Sequence, residues 1–200
     1  MWLELGKIFK SLSIDPEVRS VVFSGAGAKA FTAGLDVQAA SSGDGALAGQ
    51  SDLDGARKAT ALRRHLEEFQ ECISTIEKCE KRLAIDMSTC ADIRVCAKDT
   101  KFAVKEVDIG LAADIGTLSR LPKVVGNLSW VKDVAFSARI FGADEALKVG
   151  FVSHVLDTKE AAVEKAMKMA ELLASKSPVA VQGTKELLNH ARDHTVAESL

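Results

Sequence analysis

Three carboxylates stand in one stretch of the chain that is otherwise rich in small and apolar residues. Residues 86–114 read DMSTCADIRVCAKDTKFAVKEVDIGLAAD, with Asp86, Glu106 and Asp114 in or beside apolar sequence. A carboxyl group in apolar surroundings holds its proton more tightly than one in water, which suits it to proton transfer. Two or more of them facing one pocket would take a proton from one carbon and return one to another. That chemistry makes the chain a candidate carbon-acid enzyme rather than a binding module. A plainer reading is capping, because Asp114 precedes a helix expected from Gly116 and would serve as its N-cap. Asp92 and Asp108 read as surface acids.

Two loops add to this. Phe31-Thr32-Ala33-Gly34-Leu35-Asp36 reads as a tight turn opening a short helix, whose free backbone N–H groups suit an oxyanion. A simple turn fits the same spacing. Gly25-Ala26-Gly27-Ala28-Lys29-Ala30 fits the dinucleotide pattern G-x-G-x-x-A after a strand. Gly34 interrupts the helix that should follow, and no acid-tipped strand occurs between Val37 and Asp52, so a nucleotide site is disfavoured.

The remaining reactive side chains point to structure. His190 and His194 share a helix face, but no third ligand and no H-E-x-x-H motif accompanies them, so they read as solvated positions. His65 and His154 have no triad partners. Cys72, Cys79, Cys90 and Cys96 form no C-x-x-C pair and read as buried thiols of a reducing compartment.

The elements that must position these groups alternate between strand and helix, which predicts an α/β fold. A helix runs to about Leu12, and a turn covers Ser13 to Pro16. Arg19 to Ser24 is a short buried strand ending at Gly25, and residues 39–52 form a small, polar, Gly-rich segment. Leu53 to Lys81 is a long helix, since Leu62, Leu66, Phe69, Ile73 and Ile76 recur at helical spacing. A short helix at Ile85–Ala91 precedes strands at Ile93–Ala97 and Phe102–Val104, which flank a Lys98-Asp99 turn. Helices follow at Gly116–Val125, Leu128–Ala138 and Ala143–Val149, then a strand at Phe151–Leu156, then helices at Lys159–Ser175 and Pro178–Ser199.

A chain of 200 residues with 47% hydrophobic and 27% charged residues suits one compact domain. A net charge of −2 gives no broad attraction to nucleic acid or anionic membrane. No apolar run is long enough to span a bilayer. The amphipathic start, MWLELGKIFKSL, reads as a surface helix rather than a targeting peptide, and the final Glu198-Ser199-Leu200 is not the peroxisomal signal.

The segments SGAGAKAFTAGLDV, DMSTCADIR, KFAVKEVDIGLAADIGTLSRLPKVVGN, ADEALKVGFVSHV, SKSPVAVQGTKELL and RDHTVAESL carry a resemblance. Together they make the chain similar to the crotonase superfamily, also called enoyl-CoA hydratase/isomerases. Within it the chain most resembles the Δ3,5-Δ2,4-dienoyl-CoA isomerases. The resemblance implies a spiral of ββα units over residues 1–176, with residues 177–200 starting a C-terminal helical region. It implies assembly as a homotrimer or hexamer, an acyl-CoA thioester substrate, a role in β-oxidation, and a mitochondrial or peroxisomal location. No metal or redox cofactor is implied, CoA being part of the substrate. By position, Ala33 would give one oxyanion donor, with Gly34, Leu35, Asp36 and Val37 lining the acyl-CoA path. Leu83 would give the second donor. Glu106 matches the acid shared with hydratases, Asp114 the extra acid of dienoyl-CoA isomerases, and Asp86 takes the place of a hydratase Glu.

The same resemblance implies departures. The chain begins after the family's opening strands and stops before its closing helices. Between Lys81 and Leu83 only Arg82 stands where the family carries a core strand and a Gly-rich turn, about a dozen residues. That puts the donor at Leu83 in question and leaves two rival expectations. One is a hydratase or Δ3-Δ2-enoyl-CoA isomerase. The other is a non-catalytic acyl-CoA-binding or subunit-interaction protein.

Overall fold

The computed structural model describes residues 2–27, 30–32, 54–79 and 87–199. Two helices build the N-terminal part: α1 (Trp2–Ile14) packs along α2 (Gly55–Lys78). Asp54 starts α2 by accepting the N–H groups of Ala56 and Arg57, both at 3.0 Å, which satisfies two orphan donors of the first turn. Phe9, Ile76, Cys79 and Cys90 are buried between these helices, with Leu5, Leu12, Val21, Phe23 and Ile73 around them. Trp2 stacks against Phe69 with ring centres 4.9 Å apart.

The C-terminal part holds the larger core. A 3-10 turn (Met87–Cys90) leads to β1 (Val95–Ala97) and β2 (Lys101–Phe102). A second 3-10 turn (Glu106–Ile109) precedes α3 (Thr117–Val125), α4 (Leu128–Ser137), β3 (Phe141–Gly142) and α5 (Ala143–Lys148). Then come β4 (His154–Leu156), α6 (Lys159–Ala174), α7 (Pro178–Asp193) and α8 (Val196–Ser199). Strand β1 pairs in parallel with β4, Cys96 opposite Val155, and β2 pairs antiparallel with β3, Phe102 opposite Phe141. Val134 and Ala146 are fully enclosed here, and Phe141 meets Phe102, Trp130 and Phe151 within centroid distances of 5.0–6.1 Å.

Buried Arg94 ties together two segments of this C-terminal part. Its guanidinium donates to the carbonyls of Phe151, Ala91 and Ser88, so it fastens the Met87–Cys90 turn to the segment before β4. Helix α7 is attached differently. It has no buried residue and is held by polar contacts, Lys185 to Asp92 at 3.0 Å and Arg192 to Glu77 at 2.6 Å.

Most expected elements form, within a few residues of the expected ends. Two do not form as read from the sequence. Residues 20–23 are half-buried and Arg19 and Ser24 exposed, and the segment carries no strand: among the described residues, no bond from main chain to main chain reaches it. Periodicity marks an apolar stretch, but a strand also needs a partner edge. The final helix breaks at His194, which is extended, because Thr195 and Glu198 form a capping box that starts α8. Asp92 also departs from its surface reading: it is a mostly covered partner of Lys185.

Candidate functional site

A cavity of about 670 Å³ is bounded by residues 20–25, β1, the start of the Glu106 turn and one face of α6. Its walls are mainly apolar. Glu106 opens the 3-10 turn that Gly110 closes at φ 75°, the Gly110 N–H bonding back to the Glu106 and Val107 carbonyls. This places the Glu106 side chain at the cavity wall, where Oε2 is buried with no hydrogen-bond partner among the described residues. An unpaired buried carboxylate oxygen is costly, which makes Glu106 a candidate for chemistry or for contact with a ligand. Cys96 lines the same cavity, and burial pushes its thiol up to about 11, so it stays protonated and inert at neutral pH.

Asp114 stands elsewhere. Ala113, 5% exposed, anchors the loop in the core, and Gln70 Nε2 donates to the Asp114 carbonyl at 2.8 Å. The Asp114 side chain is exposed and borders a second pocket of about 300 Å³ with Gln70, Ser74, Glu77, Arg120, Lys123 and Arg192. Neither of these two pockets is lined by both Glu106 and Asp114 among the described residues. Asp114 is not the cap of α3 either: that place is taken by Gly116 at φ 128°, where a Cβ would lie 1.8 Å from Arg120 Nη1.

The second pocket rests on charge. Arg120 donates to Glu77 at 2.7 Å and to Ser74 at 2.8 Å, while Arg192 stands 2.6 Å from the other Glu77 oxygen, off the line of a hydrogen bond. Burial disfavours the Glu77 anion, but the two guanidinium groups outweigh it and hold the carboxyl below its ordinary range. Lys123 pairs with Asp193 beside it.

Asp86, Ala33, Gly34, Leu35, Asp36, Val37 and Leu83 lie outside the described residues. The loop before them is described in part. Lys159 Nζ donates to the carbonyls of Gly25 (2.6 Å) and Gly27, so the glycines offer oxygens to a cation rather than N–H groups to a phosphate. A Cβ at Gly25 would lie 2.8 Å from Phe31 Cα, which explains the glycine without a nucleotide. Sequence reading missed Lys159 and the Glu77–Arg120–Arg192 cluster, whose members come from distant helices with no local motif. His190 and His194 are exposed and stacked 3.7 Å apart, and no group of three metal-ligating side chains gathers among the described residues. No described helix is long and apolar enough to cross a membrane.

The family model for enoyl-CoA hydratase/isomerase matches residues 1–200. The chain belongs to this family. It is 48% identical over 210 residues to the "Delta(3,5)-Delta(2,4)-dienoyl-CoA isomerase, mitochondrial" of Pongo abelii, a match that takes in 100% of this chain and 63% of that protein. It is 36% identical over 212 residues to the "Delta(3,5)-Delta(2,4)-dienoyl-CoA isomerase, peroxisomal" of Arabidopsis thaliana, covering 100% and 74%. The solved structure of Pseudomonas aeruginosa DspI superposes with a TM-score of 0.83 at 26% identity, over 100% of this chain and 74% of that one. The fold is therefore the α/β crotonase type. The chain spans a little under two thirds of the Pongo protein. An alignment of 210 positions over 200 residues also means that this relative carries at least ten residues with no counterpart here.

Proposed function

We propose that this family member isomerises a 3,5-dienoyl-CoA to a 2,4-dienoyl-CoA by carboxylate-mediated proton transfer. The observation that carries the reading is the Oε2 of Glu106, buried without a hydrogen-bond partner among the described residues, on the wall of a large apolar cleft. The names of the two relatives support the substrate class and the reaction. Polarising the thioester carbonyl makes the adjacent carbon acidic and spreads the charge into a dienolate. One carboxylate removes a proton from that carbon. The double bonds shift, and a proton is delivered at the far end of the conjugated system, so no atom is gained or lost. Geometry supports Glu106 in this exchange. Asp114 is assigned the second transfer on the resemblance of KEVDIGLAAD, and Asp86 a supporting role. Backbone donors at Ala33 and Leu83 would hold the thioester oxygen, with residues 34–37 along the acyl-CoA path. The reaction needs no metal or redox group. A trimer or hexamer and a mitochondrial or peroxisomal location belong to the same proposal.

A diene-absorbance assay with a 3,5-dienoyl-CoA tests it. Glu106→Gln and Asp114→Asn are each expected to lower kcat by a factor on the order of 10²–10⁴. An Asp114→Asn enzyme with full turnover would remove Asp114 from the mechanism and leave Glu106 as sole transfer group.

The ten-residue deficit favours a second reading, an acyl-CoA-binding protein with little turnover. The oxyanion site near Leu83 would be damaged while the acids persist by descent. Saturable acyl-CoA binding by calorimetry with no diene signal would select it. A hydratase reading would be selected instead by water addition to a 2-enoyl-CoA.

A further inference from the structure

The two long walls of the large cleft are main chain. On one side, residues 20–24 run through it with no bond from main chain to main chain among the described residues, and the Gly25 carbonyl beyond them accepts from Lys159. On the other, β1 pairs with β4 along one edge, and Val95, Cys96 and Ala97 also line the cleft. One face of α6 completes the enclosure: Ala162, Val163, Ala166, Met169, Ala170 and Leu173. That spacing is the stripe by which a helix covers a sheet, and α6 does pack on β1 and β4. Its apolar face then continues past β1 into the cleft. From Ala162 to Leu173 a helix rises about 17 Å, the length of a strand of about five residues. Ser20 Oγ, on the same wall, is buried without a partner among the described residues. At least ten residues of the Pongo relative have no counterpart in this chain.

We infer that this cleft is a strand-acceptor site, which binds one extended, apolar, β-branched-rich peptide with about five of its residues lying between residues 20–24 and β1. Its backbone pairs with both edges, and its side chains pack on the α6 stripe. Pairing by strand addition supplies the hydrogen bonds, and the apolar floor selects the peptide. The inference goes beyond the isomerase reading and stands without it.

The test uses the full chain and a labelled synthetic peptide covering the residues of the Pongo relative that the alignment leaves unmatched, with two lysines added for solubility. A scrambled peptide is the control. Saturable binding of the native-order peptide by fluorescence anisotropy is expected, at least tenfold tighter than the scramble. Amide exchange should slow at least tenfold at Val21–Ser24 and Val95–Ala97. Ala166→Arg, which places a charge on the floor, should abolish binding while circular dichroism stays unchanged. If that variant unfolds, the exchange pattern of the unmodified protein decides alone. Equal binding of both peptides, no saturation, or protection confined to other elements would overturn the inference. The diene assay is run separately with and without peptide. Binding without turnover counts against the isomerase reading alone, and turnover without binding counts against the strand site alone.

Discussion

Among the described residues, two hydrophobic clusters differ in size and in the elements that close them. Around Val134, Ala146, Phe141 and Phe151, helices and paired strands close on one another, and twelve buried residues form a continuous core. Around Phe9 and Ile76, four buried residues among those described sit at two helices, beside residues 20–24 that reach no strand ladder among the described residues. Apolar residues occur in both places. What differs is whether backbone polar groups beside them find partners, since burial favours a segment only once its N–H and C=O groups are satisfied.

Phe141→Ala and Phe9→Ala make the comparison directly. Both rings are nearly inaccessible, at 4% and 2% exposure. Phe141→Ala is expected to cost about 4–5 kcal/mol in urea unfolding, because the closed core cannot collapse around the gap. Phe9→Ala should fall near about 3 kcal/mol, the lower end for such truncations, because its smaller cluster relaxes more readily. Equal costs would show that the N-terminal cluster is as tightly packed as the other.

The next largest effect concerns the polar contact that ties α2 to α3 and α7. Glu77→Gln leaves two guanidinium groups without their anion and should cost about 3 kcal/mol at neutral pH. The folded carboxyl titrates below its ordinary value of 4.5. Its stabilisation is therefore complete above that pH and is lost as pH falls through the lower folded value. The gap between wild type and variant should narrow below pH 4.5 in acid-unfolding curves, and a gap constant with pH would remove the charge-based account.

The smallest effects are local. Asp54→Ala removes the cap of α2 in one region, and Asn127→Ala removes that of α4 in the other, where Asn127 accepts the Trp130 N–H at 3.1 Å. Each should cost about 1 kcal/mol. A cap matters equally whichever cluster its helix serves, so thermal melts showing unequal losses would place the difference between regions at the helix ends rather than in the cores.

Legibility followed the range of the forces. Asn127, Thr158 and Ser177 each stand one residue before their helices and cap them, so those starts could be read from neighbours in sequence. The capping box at Thr195 was equally local and was overlooked, which is why the final helix was read as unbroken. Residues 19–24 failed for another reason: RSVVFS has strand composition, but composition carries no information about whether an edge lies alongside. Glu106 was legible by type and position. That its Oε2 would be buried and unpaired, while Asp114 eight residues later would face a different pocket, was not.

The sequence alone determined which segments become helix, which carboxylates deserve attention and which family the chain resembles, because propensity, capping and motif spacing act over a few residues. Tertiary structure decided the rest. It set Glu106 in an apolar wall, put Asp114 among the Gln70, Arg120 and Arg192 side chains, and drew Lys159 onto the carbonyls of Gly25 and Gly27. Gln70 and Asp114, and Lys159 and Gly25, lie tens of positions apart in the chain, and only the closed core fixes such distances.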